Sequence, residues 1–379
     1  MNVASLRPDL DPNGLLEFSV VFSDRSLNSM SNKFCAVMRD ISQTMREVYQ
    51  ADAVAVVPGG GTYGMEAIAR QLAHGVDTLV IRNGWFSYRW TQILDVGEIA
   101  RSSTVVCSRQ VADEAEAPFA PPSLEELLTT IRKKRPSVVF CPHVETSAGL
   151  MMPDDHLHAI AQCVHEHNGL FVLDCVASGM AFVDMSDLGI DVLLTAPQKG
   201  WSASPCAALV MLSARARARV EATQSSSFAH DLKRWLKIME TYEGGGHAYH
   251  TTMPTDGLLQ LSHVLSEART LGFSHLQKAQ FELGRKARIL LERYGYRSVA
   301  ASGFQAPSVI VSYCPDPQVR SGQAFIDQGL QIAAGVPLQC GERSDFSTFR
   351  IGLFGLDKLT HIERTLDHLE RALKGIKSS

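Results

Sequence analysis

The position of Lys199 in the sequence favours a reactive side-chain amine. Lys199 follows the apolar run Asp191–Leu194, which predicts a buried strand. Most lysines are solvated surface charges, and that is the alternative interpretation. A lysine at the end of a buried strand, however, is desolvated, which lowers the pKa of its ammonium group. The freed amine can then form a Schiff base with a carbonyl compound, so Lys199 is a candidate nucleophile.

A carboxylate follows a second apolar run in the same way. Asp174 is the first polar residue after Leu170–Leu173, which also predicts a buried strand. Its carboxylate could pair with a protonated heteroaromatic nitrogen of a bound ligand; a helix cap or a loop acid is the alternative. In open α/β sheets, ligands bind outside the carboxyl ends of the strands. Asp174 and Lys199 are therefore expected at one ligand-binding edge.

Three consecutive glycines separate a predicted strand from a predicted helix. Gly59, Gly60 and Gly61 are followed by Thr62, whose hydroxyl can donate a hydrogen bond. Glycines let backbone amides approach an anion, and a helix N-terminus favours negative charge. The pattern matches neither the dinucleotide fingerprint nor the P-loop. It predicts a phosphate cradle, with an ordinary glycine-rich turn as the alternative.

Two further segments suit ligand binding by their chemistry. Asn83-Gly84-Trp85-Phe86 lies just after a predicted strand, where an aromatic face could stack on a ring. Arg350 lies in Phe349–Gly352, and a guanidinium captures a carboxylate through two parallel hydrogen bonds. The alternatives are a core aromatic residue and a surface ion pair.

The elements that must position these residues alternate between strands and helices. Apolar runs predict strands at Ala53–Val57, Thr78–Ile81, Ser137–Phe140, Leu170–Leu173, Asp191–Leu194 and Ala207–Leu212. Amphipathic stretches predict helices at Tyr63–Leu72, Ser123–Lys134 and Asp154–His167. This alternation, with apolar strands, favours an α/β fold whose mostly parallel sheet is covered by helices on both faces.

The second half of the chain has a different pattern. A long helix is expected over Leu258–Tyr294, followed by strands at Ser308–Ser312 and Thr348–Leu353 and a terminal helix at Lys358–Lys374. This pattern predicts a smaller C-terminal α+β domain. We therefore expect an N-terminal segment over residues 1–19, a large domain over 20–270 and a small domain over 271–379.

No single residue is decisive, but their order resembles the class V aminotransferases. Glycine loop, aromatic residue, Glu145-Thr146-Ser147, Asp174, Gln198-Lys199 and Arg350 follow one another as in that family. The resemblance is clearest from Asn83 to Ser213 and thinner from Val20 to Lys374. It is greatest to the alanine–glyoxylate and serine–pyruvate aminotransferases, with the 2-aminoethylphosphonate aminotransferases nearby.

The resemblance implies a fold-type I transferase dependent on pyridoxal 5′-phosphate (PLP), with a seven-stranded type of sheet. Lys199 would hold PLP as a Schiff base, and Asp174 would keep its ring nitrogen protonated, as the carbanion chemistry of PLP requires. The family pattern assigns the remaining cofactor contacts to Gly60, Gly61 and Thr62 at the phosphate, Phe86 against the ring, Thr146 near the ring hydroxyl, and Val176 and Gln198.

Two further roles come from the resemblance. A Tyr-His-x-Thr-x-Pro segment places Tyr249 and Thr252 at the phosphate of the partner subunit, which implies a homodimer with shared active sites. Arg350, in an Arg-Ile-Gly element, would hold the carboxylate of the substrate. The expected reaction moves an amino group from a small amino acid to a 2-oxo acid such as glyoxylate or pyruvate. A lyase, desulfurase or epimerase on the same scaffold, or an aminophosphonate aminotransferase, remains the alternative.

The chain also departs from the family pattern. Val20–Ser23 replaces a Gly-Pro-Gly-Pro element that lines the substrate pocket in relatives, and Gly60 stands where many relatives carry serine. Trp85 and Tyr88 add bulk beside the stacking position. These changes concern the substrate rather than the cofactor.

Composition and charge indicate which partners and which cellular location to expect. The 379 residues carry 36 basic and 40 acidic side chains, a net charge of −4, and no strongly basic tract, so nucleic acid is not an expected partner. No apolar run approaches the roughly 20 residues of a membrane span. Eight cysteines without a CxxC pair, and no visible secretory signal, favour a cytoplasmic enzyme.

Two residue groups invite interpretations that the sequence does not favour. Four histidines, His156, His158, His165 and His167, have the spacing of a solvated helix face, so no metal site is expected. Cys340 precedes Arg350 by ten residues, near where desulfurases place a catalytic thiol. An ordinary cysteine is the favoured interpretation because the surrounding loop lacks the serine-rich desulfurase pattern.

Overall fold

The structure is a computed structural model that describes residues 8–378. Residues 1–7 of the predicted N-terminal segment and residue 379 lie outside this range.

Strands occur throughout the described chain. In order they are β1 Ala53–Pro58, β2 Asp77–Arg82, β3 Ser102–Cys107, β4 Arg109–Gln110, β5 Phe119–Ala120, β6 Val138–Pro142, β7 Val144–Glu145, β8 Leu150–Met151, β9 Leu170–Asp174, β10 Val192–Thr195, β11 Ala207–Leu212, β12 Val309–Tyr313, β13 Ala333–Ala334 and β14 Thr348–Gly352.

Helices alternate with these strands. They are α1 Asn32–Tyr49, α2 Gly61–Leu72, α3 Trp85–Val96, α4 Leu124–Lys134, α5 Asp154–His165, α6 Met185–Leu188, α7 Ala214–Ala222, α8 Leu232–Glu243, α9 Thr255–Leu271, α10 Phe273–Arg293, α11 Pro317–Ser321, α12 Gln323–Ile326, α13 Leu356–Thr360 and α14 Ile362–Ser378.

Seven strands form the main sheet in the order β1-β11-β10-β9-β6-β2-β3. β11 runs antiparallel to both of its neighbours, and the remaining pairings are parallel. The central strands are apolar and buried because helices cover both faces of a parallel sheet. The predicted α/β fold with a mostly parallel seven-stranded sheet is thus confirmed.

The strand order brings candidate site residues from distant parts of the sequence to one edge of the main sheet. β6, β9 and β10 are parallel neighbours, so their carboxyl ends meet, and Asp174 and the segment after Thr195 lie together there. β1 runs in the same direction, because it reaches β10 through the antiparallel β11. The glycine loop after Pro58 therefore opens at the same edge, as expected for a ligand site in an α/β sheet.

The C-terminal part contains a three-stranded antiparallel sheet in the order β12-β14-β13. Helix α10 packs against β12 and against α13 and α14, and Leu338 contributes to a small apolar cluster with residues of β12. This arrangement positions Arg350, on β14, toward the main sheet. The strands Ser308–Ser312 and Thr348–Leu353 that the sequence predicts are each found within one residue of the expected start.

Two expected helices are each divided in the structure. The long helix over Leu258–Tyr294 is wrong as a single element, since α9 ends at Leu271 and α10 begins at Phe273. Gly272 between them has φ +90°, a left-handed value that a helix cannot continue through. The break lies beside the predicted domain boundary at residues 270–271; the boundary itself stays a prediction. The terminal helix is likewise split into α13 and α14 at His361.

Candidate active site

Lys199 lies shortly after β10, on a backbone that is held tightly. A side chain on Gly200 would clash with the backbone of Gly179, and Trp201 is fully buried. The Lys199 Nζ lies 5.5 Å from the ring centroid of Phe86 and 5.9 Å from that of Phe354. These rings shield the amine from water and distinguish it from a surface lysine.

The pKa of Lys199 is lowered, mainly because burial disfavours its charged form. The negative charge of Asp174 opposes this shift, whereas the positive charge of Arg350 strengthens it. A lowered pKa makes a larger fraction of the amine neutral, and a neutral amine is the form that attacks a carbonyl or accepts a proton.

Asp174 ends β9 beside this lysine. Its Oδ1 accepts a hydrogen bond from the Val176 amide at 3.0 Å, which fixes the carboxyl orientation. Burial raises the pKa of Asp174 to about 6, although the Val176 amide and the charge of Lys199 act in the opposite direction. Burial disfavours the ionised form of the Asp174 carboxyl when it has no partner. A cationic nitrogen beside it would stabilise that form.

The glycine loop forms an open cradle at the start of α2. Gly60 is the N-cap residue and provides no side-chain hydrogen bond, so the first-turn amides of α2 have no side-chain cap from it. A methyl group on Gly60 would meet open space, whereas one on Gly61 would lie 2.8 Å from Val176. Gly59 has φ +120°, which favours glycine. The cradle therefore faces free space on one side and Val176 on the other.

Phe86 is positioned by a residue that the sequence interpretation did not assign to the site. The Glu145 carboxylate is fully buried and accepts hydrogen bonds from the amides of Phe86 at 3.1 Å and Ser87 at 2.9 Å. The same carboxylate accepts from the hydroxyls of Ser87 and Ser147 at 2.6 and 2.7 Å. It thereby caps the N-terminus of α3 and holds the backbone that carries the aromatic ring.

Gly84 allows this close packing. A side chain on Gly84 would overlap the Ser147 hydroxyl and the Glu145 side chain. Glu145 was part of the Glu-Thr-Ser resemblance, but its partners are backbone amides about sixty residues earlier in the chain. Strand ends and residue types give no signal for such contacts.

Arg350 reaches the same space from β14. Its guanidinium carbon lies 5.6 Å from the Phe86 ring centroid, and its Nε donates to the Ala334 carbonyl at 2.8 Å. Burial lowers the pKa of Arg350, with Glu145 acting against the shift. Because one edge of the guanidinium is fixed by Ala334, its remaining N–H groups are available for a carboxylate.

Arg89 is a second cation that the sequence interpretation missed. It lies three residues after Phe86 on α3, and its Nη1 donates to the Thr62 hydroxyl at 3.0 Å. Its guanidinium carbon lies 5.2 Å from the Phe86 ring centroid. Residues three apart on a helix lie on the same face, so the spacing of Phe86 and Arg89 could have indicated that Arg89 lies near the site.

The other predicted cofactor residues differ in their burial. Thr146 is partly buried next to Glu145, and Gln198 is exposed beside Lys199. Tyr249 and Thr252 are not buried, and their hydroxyls lie 3.5 Å apart. Within residues 8–378, no hydrogen bond connects Tyr249 or Thr252 to the glycine loop, so their role across a dimer stays a prediction.

The surroundings of Cys340 do not favour a role like that of a desulfurase thiol. Its Sγ lies 3.4 Å from the Arg82 carbonyl oxygen and 3.6 Å from that of Leu338, and it interacts with the thiol of Cys107. The interaction between the two thiols, together with burial, raises the pKa of Cys340, and the same interaction lowers the pKa of Cys107. Cys340 is therefore held as a neutral thiol, which is a poor nucleophile.

The described residues contain no group of histidine, cysteine, aspartate and glutamate side chains that could hold a metal ion. None of the helices in residues 8–378 combines the length and the apolar character that a membrane crossing needs.

Similarity to known proteins identifies the family. Residues 19–340 match the family model described as "Aminotransferase class-V". The chain belongs to the class-V aminotransferase family. An alanine–glyoxylate aminotransferase of Oryctolagus cuniculus is 26% identical over 359 residues, which cover 92% of this chain and 87% of that protein.

Further relatives agree with this assignment. A 2-aminoethylphosphonate–pyruvate transaminase of Burkholderia ambifaria is 26% identical, and the match covers 93% of this chain and 89% of that protein. Among solved structures, an alanine–glyoxylate aminotransferase from Nostoc sp. superposes with a TM-score of 0.79 at 22% identity, covering 93% of this chain and 89% of that chain. This last likeness supports the fold alone.

The family is PLP-dependent, and the residues present here fit that cofactor. At the N-terminus of α2, Gly60 makes no side-chain capping hydrogen bond, and the space beside it is open. A phosphate can therefore approach the free backbone amides there. Lys199 has a lowered pKa, and Asp174 offers a carboxylate beside it. A ring between Phe86 and Val176 would meet apolar atoms on both faces.

Proposed function

We propose that this chain is a PLP-dependent aminotransferase that moves an amino group from a small amino acid to a 2-oxo acid such as glyoxylate or pyruvate. The observation that carries the proposal is Lys199, a desolvated amine that shares one space with Asp174, Phe86 and Arg350. Relatives named for glyoxylate and pyruvate support the choice of acceptor.

The cofactor supplies an electron sink that stabilises negative charge on the substrate Cα when its ring nitrogen is protonated. Asp174 would keep a proton on that nitrogen, because the burial of its carboxylate costs less once a cation lies beside it. Gly60, Gly61 and Thr62 would offer amides and a hydroxyl to the phosphate, and Phe86 and Val176 would contact the ring.

Lys199 carries the proton. Its amine would hold the cofactor covalently in the resting enzyme, and it would be free to act as a base while a substrate amine occupies that position. The Nζ, whose pKa is lowered by burial, then accepts the proton from the substrate Cα and later donates it again. Such a base works best when its pKa is near the operating pH.

Arg350 orients the substrate. Its guanidinium pairs with the α-carboxylate while the Ala334 carbonyl holds its Nε. This pairing fixes the Cα–H bond relative to the cofactor ring, and it favours amino acids over amines that lack a carboxylate. An aminophosphonate would present a phosphonate to the same guanidinium, so a test of the reaction must compare both substrate types.

A homodimer with shared sites is part of this proposal. Tyr249 and Thr252 would reach the partner's phosphate site, and exposed aromatic side chains near the cradle and this segment support such an interface. They include Tyr63, which is 52% exposed, Tyr249 at 63% and Phe228 at 76%. We further propose a cytoplasmic location, from the composition.

Half-reaction spectroscopy tests the proposed reaction. Adding a small amino acid to the PLP-loaded enzyme is expected to convert the cofactor from its aldehyde form to its amine form, and glyoxylate or pyruvate is expected to reverse the change. An aminophosphonate donor serves as the comparison. Product formation with no amine form of the cofactor would instead show a lyase, and no spectral change with any donor would contradict the proposal.

Mixed dimers test the shared sites. A refolded mixture of Lys199→Ala and Thr252→Ala subunits is expected to contain heterodimers with one intact site. Activity above that of both parent variants is the expected result; activity no higher than the parents would contradict an active site shared between subunits.

A further inference from the structure

The proposed phosphate site lacks a positive charge among the residues assigned to it. Gly60, Gly61, Thr62 and Gln198 are all neutral side chains or glycines. The N-terminus of α2 contributes the equivalent of roughly half a positive charge. A phosphate monoester such as PLP carries roughly −1.5 to −2 charges near neutral pH. The cradle therefore leaves much of that charge unbalanced.

Arg89 lies where this missing charge is needed. Its Nη1 donates to the hydroxyl of Thr62 at 3.0 Å, and Thr62 directly follows the glycines of the cradle. Its guanidinium carbon is 5.2 Å from the Phe86 ring centroid, so the side chain extends along the same ring that flanks the cofactor space. Arg89 therefore connects the aromatic wall of the site to its phosphate end.

Arg89 forms no ion pair with a carboxylate within residues 8–378, although its charge acts on Asp174 from a distance. Arginines elsewhere in the chain form ion pairs, such as Arg70 with Glu66 at 2.7 Å and Arg109 with Glu126 at 2.6 Å. The Thr62 hydroxyl leaves most of the five N–H donors of Arg89 available. Such an arrangement suits an anionic ligand that binds two donors of a planar guanidinium.

The other basic residues near the site have other partners or roles, or are neutral. Arg350 is fixed by the Ala334 carbonyl on the small-domain side, and Lys199 is the proposed covalent attachment point. His230 packs against Tyr63 on α2, but burial lowers its pKa, so it is neutral near pH 7. Arg89 is the remaining cation with a contact to the cradle in the described residues.

We propose that Arg89 binds the phosphate of PLP, together with Thr62 and the amides of the glycine cradle. The proposal rests on the proposed function, because it presumes that PLP is the cofactor. It predicts that Arg89 contributes to affinity through the phosphate alone and leaves the covalent bond at Lys199 intact.

Comparison of PLP with pyridoxal, which lacks the phosphate, tests this role. Apoenzyme is titrated with each compound, and binding is followed by the absorbance of the lysine-bound form and by quenching of tryptophan fluorescence. In Arg89→Gln, the Kd for PLP is expected to rise at least about tenfold, which corresponds to about 1.4 kcal/mol. The Kd for pyridoxal is expected to stay within about twofold of wild type.

Two variants complete the design. Arg89→Lys keeps a charge but loses the planar fork, so its PLP affinity should fall between wild type and Arg89→Gln. Arg70→Gln, a change of the same type at the far end of α2, should leave the preference for PLP over pyridoxal unaltered. Inorganic phosphate is expected to compete with PLP at lower concentration in wild type than in Arg89→Gln.

The outcomes separate the two proposals. If wild type binds PLP covalently but Arg89→Gln and Arg89→Lys keep the full preference for PLP over pyridoxal, the role of Arg89 is wrong while the proposed function stands. Equal losses of affinity for both compounds would also overturn it, since they would show a general defect. If wild type forms no covalent product with either compound, the proposed function itself fails.

Discussion

Glu145→Gln tests whether the buried carboxylate holds the N-terminus of α3. The two oxygens of Glu145 accept from the amides of Phe86, Ser87 and Ser147 and from two hydroxyls. Glutamine keeps the shape of the side chain but replaces one acceptor oxygen with an NH₂ donor. In either orientation of the amide, at least one backbone N–H is left facing a donor, whereas the serine hydroxyls can rotate to accept.

The cost of this change follows from the contacts. A buried N–H that loses its acceptor costs about 1–3 kcal/mol. Loss of the negative charge at a helix N-terminus adds about 0.3–1 kcal/mol, and up to about 2 kcal/mol in a buried geometry. Because Glu145 is fully buried, we expect the free energy of unfolding of Glu145→Gln to fall by about 2–4 kcal/mol.

Urea unfolding of the apoenzyme at one fixed protein concentration measures this loss, since dimerisation makes stability depend on concentration. Glu166→Gln is the matched control: Glu166 forms an exposed pair with Arg132, which is worth at most about 1 kcal/mol. PLP affinity should also fall in Glu145→Gln, because the Phe86 backbone loses its anchor. A loss of stability no larger than that of Glu166→Gln would refute the capping role.

Three other predictions concern titration, reactivity and substrate binding. Burial raises the pKa of Asp174 to about 6, above the unfolded value of 3.8, so its contribution to apoenzyme stability is lost as pH rises from about 4 through 6. Asp174→Asn apoenzyme should therefore be more stable than wild type at pH 7, with the difference closing near pH 4 in thermal unfolding; a constant difference would contradict the shift. The interaction with Cys340 lowers the pKa of Cys107, so iodoacetamide at pH 7 should alkylate Cys107 before the other cysteines, and Cys340→Ala should slow this reaction. Mass spectrometry of the labelled peptides checks this, and preferential labelling of Cys340 would contradict it. Arg350→Ala should raise KM for amino acids at least about tenfold, at roughly 1.4 kcal/mol per decade, with little change in the cofactor spectrum; unaltered steady-state kinetics would remove Arg350 from the site.

The strands that position the site, and the residues at their ends, could be predicted from the sequence because they depend on local patterns of residue type. The apolar run Ala207–Leu212 is found as β11 with the same bounds, since a fully buried strand leaves a continuous apolar signal. Asp174 and Lys199 follow two such runs, and parallel pairing of β9 with β10 brings them together. The ends of buried strands in an α/β sheet can thus be recognised from residue types alone.

The sequence did not reveal contacts that depend on tertiary packing. The half-exposed edge strand Ser102–Cys107 contains serine and threonine and gave no strand prediction. Gly272 looked like an ordinary residue within a helical pattern, but its φ of +90° divides α9 from α10. Arg89 and Glu145 gain their places through a hydroxyl and through backbone amides contributed by other elements, and residue spacing does not encode such partners.

Trapping the lysine–cofactor bond tests the central claim most directly. Apoenzyme is incubated with PLP, reduced with borohydride, digested and analysed by mass spectrometry, with Lys199→Ala treated in parallel. We predict a visible absorbance band in wild type before reduction, a single phosphopyridoxyl label on Lys199, and neither band nor label nor transamination in Lys199→Ala. A label on another lysine, or turnover by Lys199→Ala equal to wild type, would contradict the assignment of Lys199.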